Sequence, residues 1–166
     1  ALGWRLRRSP LFPASPAESW FISGSAAYWR ILDDLDDDPV VAAGELGDAL
    51  AELSVRYLYT VSREGDMAAL DARRAYDRYG PYLLPRIKGT FALHQLRLLL
   101  GNEGFLDVMR AVHDRFAERE MSTADFIAVA EEVSGTPIAA FIRQWLEREG
   151  LPELKPTFEV KEKKGG

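Results

Sequence analysis

The sequence contains no cysteine and only two histidines among its 166 residues. The absence of cysteine excludes a disulfide framework and any thiol chemistry. The two histidines, His94 and His113, are too far apart in the sequence for a local zinc motif, and no cysteine is present to complete one. We therefore expect structural roles for both, because an inward-facing imidazole can hydrogen-bond a backbone carbonyl without any metal.

Long apolar runs and an excess of basic charge are also missing. No run approaches the roughly 20 apolar residues that a membrane-spanning helix needs, so we predict no transmembrane segment, and nothing resembles a signal peptide. The net charge of -5 argues against general nucleic-acid binding. With 47% hydrophobic and 28% charged residues, the composition predicts one globular domain with a real core, but it indicates no cellular compartment.

The clearest pattern lies between residues 88 and 154 and predicts four helices in succession. After Gly89 the apolar residues recur at helical spacing on two faces, so we expect this to be the central, buried helix. Gly101, Asn102 and Gly104 are predicted to end it. An amphipathic helix follows over residues 105–116.

Capping residues mark the two helices that come next. Ser122 is predicted to cap the third helix, with Asp125 answering the amide of the cap, and Gly135 is predicted to close it. Thr136 is predicted to cap the fourth helix, with Pro137 at the first helical position, where a missing N–H costs nothing. Gly150 and Pro152 would then stop that helix.

The first half of the chain is less regular. Residues 1–18 form an irregular basic arm in our prediction, because their prolines exclude a long helix. A helix is predicted over residues 19–35, and the next segment, 40–59, fits either one helix or two helices broken at Gly44 and Gly47. A surface helix is predicted over residues 67–79.

Two charged segments have alternative interpretations. The aromatic and basic residues of the arm (Trp4, Arg5, Arg7, Arg8) suit an anionic lipid or an acidic partner, so peripheral membrane association stays open. In the alternative interpretation, the arm lies on its own acidic domain. The aspartate cluster (Asp33, Asp34, Asp36, Asp37, Asp38) has the oxygens that calcium needs. It lacks the glycine and the distal glutamate of the twelve-residue calcium loop, so we favour a solvated loop, which is also a plausible contact for a basic partner.

A resemblance runs through residues 88–154. The motifs that carry it are, in order, K-G-T, a leucine-rich helix ending in L-G, S-T-x-D-F, S-G and F-x-x-x-W-L-x-x-x-G-L-P-x-L. This order of motifs resembles the aminopeptidase N type of zinc aminopeptidase, a gluzincin family. The resemblance implies a mainly α, multi-helix domain corresponding to the C-terminal helical half of the family's catalytic domain, here over residues 19–154. Residues 155–166 are expected to form a short strand and a frayed tail, since a small β-sandwich follows in the family.

The same resemblance predicts that the zinc site is absent. The stretch W-F-I-S-G-S-A-A-Y-W is similar to the family's W-L-N-E-G-F-A-x-Y, and the zinc-binding glutamate of that motif corresponds to Ser23. A neutral hydroxyl replaces a carboxylate poorly as a zinc ligand. No H-E-x-x-H occurs in the sequence; its second histidine would fall near Trp4, and its expected start lies before residue 1.

A further departure concerns the oxyanion. The family places a tyrosine, which hydrogen-bonds the developing oxyanion, two residues before its K-G pair, and this position is Arg86. Tyr79 and Tyr82 lie close by in the sequence, so a shifted register would let one of them take the role. We therefore predict no catalytic, cofactor-binding or metal-binding residue at the positions that the family uses.

These features lead to a functional hypothesis with alternatives. The leading interpretation is a non-catalytic, degenerate zinc-aminopeptidase-like domain, a pseudoenzyme that binds a protein partner as a structural or interaction subunit of a larger assembly, without a cofactor. The first alternative is a fragment of an active zinc aminopeptidase whose H-E-x-x-H helix lies upstream of residue 1. The second is a metal-free binding domain whose likeness to peptidases is only architectural.

Overall fold

The computed structural model describes residues 10–71 and 78–152, and helices dominate this part of the chain. Among these residues, one pair of two-residue strands, β1 (Phe12–Pro13) and β2 (Glu120–Met121), joins in parallel. The mainly α fold that we predicted is therefore confirmed. In chain order the elements are β1 (Phe12–Pro13), α1 (Ser19–Asp33), α2 (Pro39–Glu64), α3 (Gly80–Phe116), β2 (Glu120–Met121), α4 (Thr123–Ser134) and α5 (Ala139–Leu146).

Helix α3 is the centre of the fold and packs against each of the other four helices. It begins at Gly80, before the apolar pattern after Gly89 from which the helix was predicted, and it continues through Pro85. Gly101 (φ 73°, ψ 171°) leaves the helical path, so two helical segments of α3 meet at a kink where the sequence predicted the break between two helices. Only glycine adopts such a conformation without strain, which explains its place at the kink.

The contact between α1 and α3 depends on two glycines. A Cβ atom on Gly24 would lie 2.7 Å from the backbone carbon of Gly89, and a Cβ on Gly89 would overlap the carbonyl oxygen of Trp20. The Thr90 hydroxyl also donates to the carbonyl of Gly24 (3.3 Å). The two helices therefore approach backbone to backbone, and no larger residue fits at either glycine.

The predicted cap of α4 is confirmed. The Ser122 hydroxyl accepts from the amide of Asp125 (3.2 Å), and the Asp125 carboxylate accepts from the amide of Ser122 (2.9 Å), which together form a capping box. Gly135 adopts the left-handed conformation (φ 65°) and ends the helix, as predicted.

The predicted start of α5 is wrong. The helix begins at Ala139, so Pro137 precedes the first helical position and Thr136 is not the cap. The cap comes from Glu131 on α4, whose Oε1 accepts from the amides of Ile138 (2.8 Å) and Ala139 (2.9 Å). A carboxylate from a neighbouring helix thus satisfies the free amides that a local hydroxyl was expected to take.

Helix α2 resolves one open alternative, because it continues without a break through Gly44 and Gly47. Its cap comes from the aspartate cluster: the Asp38 carboxylate accepts from the amides of Val40 (2.8 Å) and Val41 (3.1 Å). At least this carboxylate of the cluster therefore serves the start of a helix. Among the described helices, none combines the length and apolar character that crossing a bilayer requires.

Several sequence predictions fall partly or wholly outside the described residues. The basic and aromatic positions of the arm, the segment 72–77 of the predicted surface helix and the tail over 155–166 belong to this group. Within the described part of the arm, β1 pairs with β2, and the amide of Glu118 donates to the carbonyl of Pro10 (2.7 Å). The described part of the 67–79 segment contains a short 3-10 turn, Ala69–Asp71.

Candidate functional site

Ser23 and Arg86, the two positions singled out in the sequence, line one cavity. This cavity measures about 760 Å³ and lies between α1, the end of α2 and the first turns of α3. The packing of α1 on α3 brings the two positions together, although they are far apart in the sequence. The lining residues are Ser23, Glu64, Arg78, Tyr79, Tyr82, Leu83 and Arg86.

The Ser23 hydroxyl already has a partner inside its own helix. It donates to the carbonyl oxygen of Ser19, one turn earlier in α1, over 2.7 Å. Serine commonly bonds backward in this way when it lies inside a helix. The side chain therefore presents to the cavity a short, neutral group whose proton is engaged by the backbone.

Arg86 supplies positive charge on the other side of the cavity. Its side chain is half-buried, and among the described residues no hydrogen bond or ion pair occupies the guanidinium. Its backbone carbonyl accepts from the Thr90 hydroxyl (2.9 Å), which belongs to the contact between α1 and α3. The backbone of Arg86 is therefore held by a hydrogen bond, and its cationic side chain lines the cavity with donors that no described residue engages.

Glu64 is the carboxylate of this cavity, and backbone amides hold it. Its two oxygens accept from the amides of Tyr79 (3.2 Å) and Gly80 (2.6 Å) at the start of α3. The Arg78 guanidinium in turn donates to the backbone carbonyl of Glu64 (3.2 Å). Because a carboxylate at a helix N-terminus is favoured by the free amides there, we assign Glu64 to the architecture of the cleft.

Tyr79 and Tyr82 also line the cavity, next to Arg86. The sequence left open that one of them takes the place of the family's oxyanion donor. The structure brings both to the right cavity, but both side chains are largely exposed to solvent. Their role as oxyanion donors stays a hypothesis, since such a donor must be aimed at the reacting atom.

The residues of this cavity do not fit a zinc ion. Zinc requires thiolate, imidazole or carboxylate ligands, and the cavity offers the Ser23 hydroxyl, the two guanidinium groups of Arg78 and Arg86, and a carboxylate, Glu64, already held by amides. Over residues 10–71 and 78–152 there is no group of three or more potential metal-binding side chains. Two guanidinium groups and one carboxylate therefore give the described lining of this cavity an excess of positive charge.

A second cavity adjoins the first and was not predicted from the sequence. It measures about 630 Å³ and shares four lining residues with the first, including Glu64 and Arg86. Helix α2 adds Arg56, Tyr59 and Arg63 to its wall. The two arginines lie two helical turns apart. This spacing is the one sequence signal from which their position on a common face could have been predicted.

A buried charge network lies behind this region. Lys88 is completely buried, and its ammonium donates to the carbonyls of Met67 (2.6 Å) and Arg148 (2.9 Å) and lies 3.2 Å from Asp66 Oδ1. Asp66 also accepts from the Tyr57 hydroxyl (2.7 Å) and the Gly150 amide. Burial lowers the pKa of Lys88, against the opposing effect of Asp66. This network links α2, α3 and the segment after α5.

The histidines occupy separate environments. His94 Nδ1 lies 3.0 Å from the Tyr28 hydroxyl, so the partner of this ring nitrogen is a side chain. Burial, and to a smaller extent the charge of Arg97, lower the pKa of His94. The Nε2 atom of His113 is buried, with no partner among the described residues. Neither histidine lines the cavity that contains Ser23.

Comparison with known proteins gives a partial relationship. No protein-family model matches the chain, and no solved structure matches it. The chain is 32% identical to the aminopeptidase N of Streptomyces lividans over 73 residues, which are 44% of this chain and 8% of that protein. It is also 32% identical to aminopeptidases M1-D and M1-C of Oryza sativa subsp. japonica over 67 residues, 40% of this chain and 8% of each relative. These partial similarities support a peptidase-like relationship with the aminopeptidases.

Proposed function

We propose that this chain is a degenerate, non-catalytic aminopeptidase-like domain that acts as a structural or protein-interaction subunit of a larger assembly. One observation carries the proposal: Ser23 and Arg86 line the same cavity, at the positions where the resemblance places a zinc-binding glutamate and an oxyanion-binding tyrosine. The serine hydroxyl is already bonded to a backbone carbonyl. A guanidinium beside the metal position would repel a divalent cation.

The exposed apolar residues of α2 support the interaction part of the proposal. This helix spans 26 residues, yet among them only Tyr57 and Thr60 are buried. Val40, Val55 and Leu58 are 81%, 65% and 63% exposed. Large exposed apolar patches on a protein surface mark interaction sites more often than isolated exposed residues do. Val55 and Leu58 lie one turn apart on α2, and a protein partner of this chain would cover these two residues.

A second candidate function is that of a segment of an active zinc aminopeptidase whose H-E-x-x-H helix lies upstream. The identity of 32% to aminopeptidases, over 8% of their length, favours it, because the remainder of such a protein would carry the two histidines. A bound zinc would activate water for peptide hydrolysis. Under this candidate, a residue other than Ser23 has to complete the ligand set.

Zinc content and hydrolysis distinguish the two candidates. The natural gene product would be purified without chelators, its mass measured, and its zinc content and cleavage of alanine 4-nitroanilide determined. We expect neither zinc above the level of a protein blank nor hydrolysis; about one zinc per chain together with hydrolysis would overturn the non-catalytic proposal. A Ser23→Glu variant tests the ligand position, with Ser62→Glu, exposed on α2, as the matched control.

The subunit part of the proposal has its own test. The gene product would be isolated at native expression level with a terminal tag, and its mass measured by light scattering. We expect a stable complex whose mass exceeds that of the chain and which the exposed substitution Leu58→Glu weakens. A monodisperse monomer with nothing bound would contradict this part, whatever the zinc content is.

A further inference from the structure

We propose that the two adjoining cavities bind an acidic peptide segment in extended conformation. We call them together the arginine cleft, defined by its cationic lining residues Arg56, Arg63, Arg78 and Arg86. The inference deepens the proposed function and rests on it in one respect: the cleft binds the segment without cleaving it.

Charge is the first argument. Among the residues that the structure describes, four arginines and one carboxylate, Glu64, line the arginine cleft, and that carboxylate is engaged by the amides of Tyr79 and Gly80. The chain as a whole has a net charge of -5, so this local excess of positive charge runs against its composition. A cleft lined by one sign of charge concentrates ligands of the opposite sign.

The guanidinium groups have donors to spare. Arg86 has no hydrogen bond or ion pair among the described residues. Arg63 lies 5.6 Å from the centre of the Tyr59 ring and gives a weak bond to its hydroxyl (3.3 Å). Arg56 pairs with the exposed Glu52 one turn earlier, and such surface pairs exchange partners at little cost. Each guanidinium carries five donors in a planar fork that matches a carboxylate.

The spacing of these groups favours a peptide over a point anion. Arg56 and Arg63 lie two turns apart on α2, or roughly 10 Å along the helix axis. A polyproline-II segment advances about 9 Å in three residues and returns to the same face, so acidic side chains at every third position match that interval. A single phosphate would be held by arginines that converge on one point, whereas these are distributed over two cavities.

Aromatic side chains complete the fit. Tyr59, Tyr79 and Tyr82 line the arginine cleft, and their rings are 62%, 71% and 63% exposed. Clefts that recognise extended, proline-containing peptides are typically lined by aromatic rings, which pack on the preformed backbone at low entropic cost. The tyrosines would therefore contact the backbone of the segment, while the arginines select its carboxylates.

Binding would be measured by fluorescence anisotropy with a labelled peptide of roughly twelve residues in which glutamate occupies every third position between prolines. The control peptide carries glutamine in place of each glutamate. We expect the glutamate peptide to bind at least about tenfold more tightly than the control, and more weakly as salt rises from about 50 to about 200 mM. Equal affinity for the two peptides would overturn the inference.

Variants of the chain locate the binding site. Arg86→Gln is expected to weaken binding of the glutamate peptide about tenfold, and Arg63→Gln, at an exposed position, gives a second variant that leaves the core untouched. Arg110→Gln is the matched control, because this exposed arginine pairs with Asp107 outside the arginine cleft. A loss in Arg110→Gln as large as that in the cleft variants would overturn the assignment, as would unchanged binding in both cleft variants.

Competing ligands and product analysis separate the remaining outcomes. Complete displacement of the peptide by inorganic phosphate at equal concentration would replace the extended site with a point-anion site and overturn the inference. Tighter binding of a single-stranded RNA than of the peptide would do the same. Mass spectrometry of the recovered peptide tests the proposed function alone, because cleavage would contradict the non-catalytic proposal. Loss of binding would contradict only the proposed binding of an acidic peptide in the arginine cleft.

Discussion

Replacing Asp66 by asparagine is expected to destabilise the fold strongly, because it removes the counter-charge of a buried ammonium group. Lys88 is completely buried and lies 3.2 Å from Asp66 Oδ1, and the Asp66 side chain is only 11% exposed. The asparagine would preserve the shape of the side chain and remove its charge. The perturbation therefore tests the electrostatic link between the two residues rather than the packing around them.

The magnitude follows from what remains around the ammonium. Removing one partner of a buried ion pair costs about 3 to 5 kcal/mol. The carbonyls of Met67 and Arg148 continue to accept from Lys88, so we expect a loss near the lower value, about 3 kcal/mol. For a chain of this size, such a loss lowers the melting temperature by roughly 6 to 12 °C.

The pH dependence provides a second readout. Burial tends to raise the pKa of Asp66, but the bonds from the Gly150 amide and the Tyr57 hydroxyl, together with Lys88, outweigh it and lower the pKa below 3.8. A carboxyl whose folded pKa is depressed stabilises the fold above its unfolded pKa, and that stability is lost as pH falls through the folded value. The wild-type chain should thus lose stability below about pH 4, and the asparagine variant should show a flatter acid limb.

The assay is urea unfolding followed by circular dichroism, on Asp66→Asn, Lys88→Met and the double variant. Because the two residues contact each other, the double variant should lose less stability than the sum of the single variants. Glu132→Gln, at an exposed partner of Arg115, is the control and should change the unfolding midpoint little. A loss below about 1 kcal/mol in Asp66→Asn, or additive effects, would refute the buried-pair argument.

Two further substitutions test the packing and the caps. Gly89→Ala should cost about 3 kcal/mol of stability, because the new Cβ overlaps a backbone carbonyl. Gly44→Ala is the control: the space around its Cβ inside α2 is open, so it should stabilise the fold by up to about 1 kcal/mol. Equal melting temperatures for the two variants would contradict the close contact between α1 and α3. Ser122→Ala should cost about 1 kcal/mol in urea unfolding, and a loss no greater than that of Ser62→Ala would contradict the importance of the capping box.

The sequence predicts best those features that depend on neighbouring residues. Ser122 and Asp125 lie three residues apart, so the whole capping box is present in one short stretch and needs no tertiary partner. The start of α5 was predicted wrongly for the opposite reason, because its cap comes from Glu131 on another helix. The start of α3 was predicted too late: the apolar pattern indicated a helix after Gly89, whereas the helix begins at Gly80 and Pro85 lies buried within it, although proline disfavours a helix interior.

The candidate site could be predicted only in part. The resemblance pointed to Ser23 and Arg86, and the structure places both on one cavity. The contribution of Arg56 and Arg63 was not predicted, because their position depends on how the end of α2 packs on the first turns of α3. The Lys88 network was missed for the same reason: the partners of Lys88 come from two separate segments, Asp66 and Met67 in one and Arg148 in the other, and no spacing in the sequence connects them.

Glu64 connects the two functional proposals. Its carboxylate accepts from the two amides at the start of α3, and this contact joins the end of α2 to α3 and so forms the wall shared by both cavities. The same contact engages the carboxylate of the cleft with backbone amides, and among the described residues this carboxylate does not pair with Arg86. Arg86 is therefore left without a counter-charge among the described residues, whereas Arg56 pairs with the exposed Glu52. The geometry that disfavours a zinc cation is therefore the geometry that favours an anionic peptide.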